Sequence, residues 1–279
     1  MGSVFQCGRF ELNLERPLVM GIVNVTPDSF SDGAAHFSAD AAIAHGQLLL
    51  SQGAHMLDIG GESTRPGADP VSATDEIQRI LPVIEGLRHL GIPLSVDTFK
   101  PLVMTRALDA GADMINDIYG LRQPGALQAV SGSNCGLCVM HMQGQPKTMQ
   151  QAPEYDDIVT QVRQFLLDRV AVLQAAGIAA QRIVLDPGFG FGKTAAQNYQ
   201  LLRQLNDARV GDYPWLLGVS RKSMIGHITG GQPSERVAGS IAAALAGVAR
   251  GARIVRVHDV RATADAINVW LATEHGIFL

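Results

Sequence analysis

The sequence has no apolar run approaching the roughly 18 residues that a membrane-spanning helix needs, and no charged-then-apolar leader opens it. No membrane partner is expected. It also lacks a basic stripe: 22 Lys and Arg stand against 26 Asp and Glu, for a net charge of -4 and a pI near 6.0. That balance sets aside nucleic acid and anionic lipid as main partners. Cysteine is scarce, three in 279 residues, and an odd number in a long chain fits a reducing cytoplasm better than a disulfide framework. Two of the three form Cys135-Gly136-Leu137-Cys138, a spacing that invites a metal or redox site. No second pair accompanies them, they fall within an apparent strand from Gly136 to Met142, and strand positions three apart face opposite ways. Inert buried thiols are expected. No Pro/Ser-rich linker, charge block or low-complexity segment divides the chain, so residues 1–279 are expected to form one domain, with residues 1–16 as an N-terminal hairpin.

What is present is a recurring unit. Ile183-Val184-Leu185-Asp186-Pro187-Gly188-Phe189-Gly190-Phe191-Gly192-Lys193 starts as a short β-branched run of the kind buried on both faces of a parallel sheet. It stops at a carboxylate followed by a glycine-rich turn. Asp before Pro-Gly is good turn chemistry on its own, but the design repeats. Gly53 to Gly60, Gly111 to Asp117 and Gly251 to His258 each read as a helix stop at Gly, an apolar strand and a polar tip; Gly91 to Asp97 is a looser copy. Gly just past a helix suits a left-handed C-cap.

In chain order, Val4 to Glu15 alternates around Cys7-Gly8-Arg9, which predicts a hairpin that closes one end of a barrel. Leu18 to Asn24 is the first buried strand. The loop after it, through Phe30 to Gly33, is long for a βα connection and has the look of a ligand cover; a second long loop, Gly61 to Pro70, carries Arg65 among hydroxyls. Helices are predicted over Ala39 to Ala54, over Val71 to Leu90 with Ser72 or Thr74 near the start, and over Tyr155 to Ala176 with Asp156 and Asp157 at the positive dipole end. Strands three to six end at Asp97, at Asn116-Asp117, near His141-Met142 and at Asp186. Pro214 to Ser220 is strand seven, and Ser220-Arg221-Lys222-Ser223 turns at once into a helix, a start suited to an anion. Strand eight ends Arg256-Val257-His258, two polar side chains on one face.

Eight strands alternating with helices, each with its polar residue at the carboxyl end, predict an α/β fold of the (β/α)8 TIM-barrel class. An open doubly wound sheet would normally show a Gly-rich phosphate loop after its first strand, and this chain has the wrong residues there. In a barrel, Asn24, Asp97, Asn116, Asp186, Lys222, Arg256 and His258 converge at the C-terminal face. Carboxylates and an amide suit a flat heterocycle with several N–H donors, and Asp186 could grip an amidine-like edge with two parallel hydrogen bonds. Arg65, Arg256 and His258 supply positive charge for a leaving phosphate or pyrophosphate, and Asn24 together with a ligand oxygen could hold Mg²⁺. Transfer to an incoming nucleophile with loss of pyrophosphate is the reaction class these parts fit.

Four long motifs carry a resemblance. Asn24-Val25-Thr26-Pro27-Asp28-Ser29-Phe30-Ser31-Asp32-Gly33, Asp58-Ile59-Gly60-Gly61-Glu62-Ser63-Thr64-Arg65-Pro66-Gly67, Leu185 to Lys193 and Ser220-Arg221-Lys222-Ser223 resemble those of bacterial dihydropteroate synthases, the folate-pathway enzymes inhibited by sulfonamides. The resemblance runs from about Pro17 to the last helix. It implies condensation of 6-hydroxymethyl-7,8-dihydropterin diphosphate with 4-aminobenzoate, giving 7,8-dihydropteroate and pyrophosphate by an SN1-like route. It also implies that Asp97, Asn116, Asp186 and Lys222 hold the pterin, with Met142 and Gly218 against the ring. Asn24 would ligate Mg²⁺, and Arg65, Arg256 and His258 would take the diphosphate. Phe30, Thr64, Pro66, Phe191, Arg221 and Ser223 would surround the aminobenzoate. Asp97, Asp186, Lys222, Arg256 and His258 are the implied catalytic set.

Val237 to Arg250 is apolar almost all round, so that helix is buried or packed on another chain, and the resemblance favours a homodimer. A corrinoid-type pterin methyltransferase would share the pocket but should not need the loops at Phe30 and Thr64-Arg65-Pro66. A non-catalytic pterin-binding paralogue would be expected to lose those loop residues while keeping Asp186.

Overall fold

The computed structural model describes residues 4–25, 35–63, 69–145, 148–150 and 153–277, and the side chains of 35–38 are left aside. Eight parallel strands close into a barrel: β3 (Leu18–Asn24), β4 (Met56–Gly60), β5 (Leu94–Asp97), β6 (Met114–Asp117), β7 (Gly136–Met140), β8 (Ile183–Asp186), β9 (Trp215–Leu217) and β10 (Ala252–Val257). β10 pairs back onto β3, with Arg256 opposite Met20. Ahead of them, β1 (Val4–Cys7) and β2 (Phe10–Asn13) form the antiparallel hairpin the sequence predicts.

The helices of the described residues are α1 (Ala35–Ser51), α2 (Ala73–Leu87), α3 (Pro101–Asp109), α4 (Ala126–Ser131), α5 (Ile158–Ala175), α6 (Ala195–Arg203), α7 (Ser223–Thr229), α8 (Val237–Val248) and α9 (Val260–His275). The recurring glycines do what the pattern requires: Gly53, Gly91, Gly111, Gly177 and Gly251 all have positive φ, from 73° to 104°. Ser72 caps α2 by accepting from the Asp75 amide at 3.1 Å. Two helix starts move. α1 begins at Ala35, ahead of the predicted Ala39, and α5 begins at Ile158, not Tyr155. Asp157 is the residue that caps α5, accepting from the Val159 amide at 3.1 Å. Tyr155 is drawn away instead, its hydroxyl donating to the Gly192 carbonyl at 2.8 Å.

Period-two alternation sorts the strand residues into two layers. Outward positions such as Leu57, Ile59, Val96, Ile115, Val139 and Leu185 pack with the helices into the main core. Inward positions build a second cluster, in which Met20, Met56, Met114, Cys138, Val184, Leu216 and Ile254 meet Phe5, Cys7 and Leu14 from the hairpin segment. The hairpin thus stoppers the N-terminal end of the barrel. The Phe5 ring lies so close to Gly136 that a Cβ there would sit 2.5 Å from its Cζ. Arg9 fastens the hairpin tip to Asp113 through Nε at 2.8 Å and Nη2 at 2.9 Å. Cys7, Cys135 and Cys138 are free and buried, with Cys135 in the outer core and Cys138 inside the barrel.

Candidate functional site

One pleat above that apolar floor, the same strands turn polar. Asp58 is two residues beyond Met56, Asn116 beyond Met114, Asp186 beyond Val184, Gly218 beyond Leu216 and Arg256 beyond Ile254. Each therefore lies on the inward face about 7 Å further along its strand. Arg256 forms the centre of this layer: Nε donates to Asp58 Oδ2 at 2.5 Å and Nη2 to Asp97 Oδ2 at 2.9 Å. Asn116 Nδ2 donates to the same Asp58 oxygen at 3.1 Å. Burial works against the charge on Arg256, but Asp58 and Asp97 outweigh it and hold the guanidinium protonated. Burial pushes Asp97 up to about 7, with Arg256 pulling it back and Asp58, Glu76 and Asp117 pushing further.

Asp58 is the site residue that sequence reasoning passed over. It is fully buried, its Oδ1 has no hydrogen-bond partner among the described residues, and its Oδ2 joins Arg256 to Asn116. Its signal was parity: within Met56-Leu57-Asp58-Ile59-Gly60 only the alternation shows that Asp58 faces the axis while its neighbours face the helices.

Across the mouth stand Asp186 and Lys222. Asp186 Oδ1 accepts from the Gly188 amide at 2.7 Å. Burial raises the pKa of Asp186, against Lys222, the Gly188 N–H, Lys193 and Arg256, which lower it. Lys222 precedes the first residue of α7, Ser223. Its amine donates to the Phe189 carbonyl and lies 4.5 Å above the centre of the Phe191 ring. Enclosure brings Lys222 down to about 8, although Asp186 opposes the shift. Gly218 separates the two: a Cβ there would lie 3.8 Å from Lys222 Nζ and 3.9 Å from Asp186 Oδ2. The glycine leaves a flat slot between a carboxylate and a cation. Met142, buried with Met140, Ile118 and Met149 against Phe99, Tyr119 and Phe191, adds an apolar wall.

The remaining predicted residues are placed as follows. Asn24 ends β3, half-buried, in register with Gly60. The His258 amide and Nδ1 lie 3.2 Å and 3.0 Å from Ser220 Oγ. Arg221 has φ of 58° and forks onto Asp259, through Nε at 2.9 Å and through Nη2. Ser223 is exposed. Phe30, Thr64, Arg65 and Pro66 lie outside the described residues. Among the described residues no group of three His, Cys, Asp or Glu side chains could hold a metal ion. A lone amide oxygen at Asn24 fits a hard cation that keeps its waters and arrives with substrate phosphates, not an all-protein cage.

Fold and site together define a (β/α)8-barrel protein whose mouth sets Asp186 and Lys222 beside a layer of Arg256, Asp58, Asp97 and Asn116. Residues 20–258 match the family of pterin binding enzymes. The dihydropteroate synthase of Neisseria meningitidis serogroup B is 53% identical over 277 residues, 96% of this chain and 97% of that one. Among solved structures, Burkholderia cenocepacia dihydropteroate synthase complexed with 7,8-dihydropteroate is 54% identical, with a TM-score of 0.91 over 99% of this chain and 98% of that one. Xanthomonas albilineans dihydropteroate synthase with 4-aminobenzoic acid is 52% identical, with a TM-score of 0.93 over 99% of each chain. The chain belongs to the pterin-binding enzyme family, among the dihydropteroate synthases.

Proposed function

We infer that this chain condenses 6-hydroxymethyl-7,8-dihydropterin diphosphate with 4-aminobenzoate, in folate biosynthesis. The observation that carries this is the slot itself: Asp186 and Lys222 face each other across Gly218, with the Asp97–Arg256–Asp58–Asn116 layer on the far side. The pterin ring is proposed to lie against Gly218 and Met142. Asp186 would accept from its amidine edge, Lys222 would donate to a ring acceptor, and Asp97 and Asn116 would take the opposite edge.

In the SN1-like route, the bond between the pterin methylene carbon and the diphosphate oxygen breaks first, and its electron pair leaves with pyrophosphate. The carboxylates of Asp97 and Asp186 stabilise the cation left on the ring. The aminobenzoate nitrogen then forms the new bond to the methylene carbon and loses a proton. Arg65, Arg256 and His258 are proposed for the diphosphate, and Phe30, Thr64, Pro66, Phe191, Arg221 and Ser223 for the aminobenzoate. Mg²⁺ would be held by Asn24 and would neutralise charge on the leaving group.

A cytoplasmic location is part of the proposal, supported by three free, buried thiols whose pKa values burial raises. No helix of the described residues is long and apolar enough to cross a membrane. A homodimer is proposed through α8. Ala238 and Ala242 are exposed there, and Ala242 and Ala246 line an apolar groove of about 370 Å³ with Leu202, Ile225 and Ile228. Light scattering should give twice the chain mass; a concentration-independent monomer would refute the dimer.

The activity is tested by pyrophosphate release from the pterin diphosphate, with and without 4-aminobenzoate and with and without Mg²⁺. Release that needs both additions and yields dihydropteroate is expected. Pterin binding without product would reduce the assignment to a binding protein.

A further inference from the structure

Lys193 closes the Leu185-to-Lys193 motif, yet the proposed chemistry gives it no task. It is 3% exposed, a costly place for an amine. The turn between Pro187 and Gly192 winds round it. Nζ lies 2.8 Å from the Gly188 carbonyl, 3.0 Å from the Phe191 carbonyl and 3.0 Å from Nδ1 of His141, which is itself buried just beyond β7. Gly188, Gly190 and Gly192 all take positive φ to make that winding. A Cβ at Gly188 would strike the His141 carbonyl oxygen at 1.8 Å. No other residue type fits there.

The same turn sets both sides of the slot. Its Gly188 N–H holds Asp186 Oδ1, its Phe189 carbonyl receives Lys222 Nζ, and its Phe191 ring lies beneath that amine. Lys193 thus makes no hydrogen bond to Asp186 or Lys222 but holds the segment that aims both. We propose that Lys193 is a positioning residue: a buried ammonium whose three N–H groups are taken by Gly188, Phe191 and His141, fixing the turn and supporting the Asp186 carboxylate from behind. An ammonium has three donors and no lone pair, so His141 accepts through Nδ1 and carries its proton on Nε2. Burial, Lys193 and Arg122 all act to keep that imidazole neutral.

The charged and titratable groups around Asp186 are Lys222 at the start of α7, Arg256 on β10, Lys193 on its own turn and the Cys138 thiol on β7. Those around Lys193 are Asp186, Lys222 and His141. Burial drives the Lys193 pKa well down and Lys222 adds to the fall, while Asp186 opposes it, so the charge on Lys193 depends on Asp186 and on its three acceptors. Removing the Lys193 charge takes one opposing cation from Asp186, so its carboxylate protonates at a higher pH. A purely structural loss would weaken binding equally at every pH.

The inference rests on the pterin reading of the slot, so wild-type and variant full-length chains are titrated together with 6-hydroxymethyl-7,8-dihydropterin diphosphate and Mg²⁺ by calorimetry, at about pH 8 and about pH 6. Lys193→Met, confirmed folded by its melting transition, should bind about tenfold more weakly at the higher pH, and the gap to wild type should widen at the lower one. Wild-type affinity in the variant, or a deficit that is equal at both pH values, overturns the proposal. If Lys193→Met does not fold, His141 serves. His141→Leu, which removes one acceptor, should bind several-fold more weakly, and His141→Gln, whose amide oxygen replaces it, should bind close to wild type. Wild-type affinity in His141→Leu overturns the proposal. No binding by the wild-type chain would instead sink the pterin reading and is read in the same experiment.

Discussion

The two ends of the barrel are built from the same strands, two residues apart, and are opposites. At the floor, Phe5, Met20, Met56, Met114, Val184, Leu216 and Ile254 are at most 1% exposed and wholly apolar. One pleat higher, Asp58, Asn116 and Asp186 are at most 5% exposed, and they share the layer with Arg256, whose side chain is 20% exposed. Burying apolar area stabilises, while burying charge costs free energy that pairing only partly offsets. The lower layer therefore holds the barrel together, and the upper layer is maintained at some expense of stability, which its role in the proposed chemistry would account for.

That division can be broken from either side. The largest effect belongs to the floor: Phe5→Ala should cost about 3–5 kcal/mol in urea unfolding, while the folded variant keeps pterin affinity within about twofold, because the site lies outside its contact shell. Affinity falling in step with stability would show that floor and rim are not separable. Next is Asp186→Asn, which loses the second hydrogen-bond acceptor and the charge. Pterin affinity should drop about a hundredfold or more with the melting temperature unchanged or raised, and an affinity near wild type would take Asp186 out of the site.

The finest test uses pH. Asp97 is raised from 3.8 to about 7, so the folded chain gains by keeping it protonated. That advantage is complete below the ordinary carboxylate value and is lost as pH rises through about 7. Asp97→Asn should therefore raise the melting temperature of the free protein more at about pH 8 than at about pH 5. Equal shifts at both would mean that Asp97 titrates normally.

Strand order, hairpin and the polar tips were legible because each rests on local chemistry: a glycine past a helix, a β-branched run, a polar stop. Asp58 was legible as the polar residue of its strand and the head of a motif but not as a site residue, because its partners Asn116 and Arg256 lie 58 and 198 residues away. Lys193 was legible as part of a motif but not as a hub, since its partner His141 is 52 residues away. Arg221 was placed with the aminobenzoate by resemblance, and its fork onto Asp259 spans 38 residues, beyond what any local pattern encodes. Tyr155 illustrates the limit at a helix end. Its helical periodicity is sound, yet the Gly192 carbonyl, 37 residues on, takes its hydroxyl.

Gly218 carries one more consequence. A methyl group there would meet Lys222 Nζ at 3.8 Å and Asp186 Oδ2 at 3.9 Å, ordinary contact that leaves the backbone and both charges where they are. On the proposed function, what the glycine would supply is headroom for a ring. A Gly218→Ala chain would be a decoy, alike in shape, surface and abundance but with its slot filled, so any phenotype it rescued in cells would come from the protein's presence and not from its product.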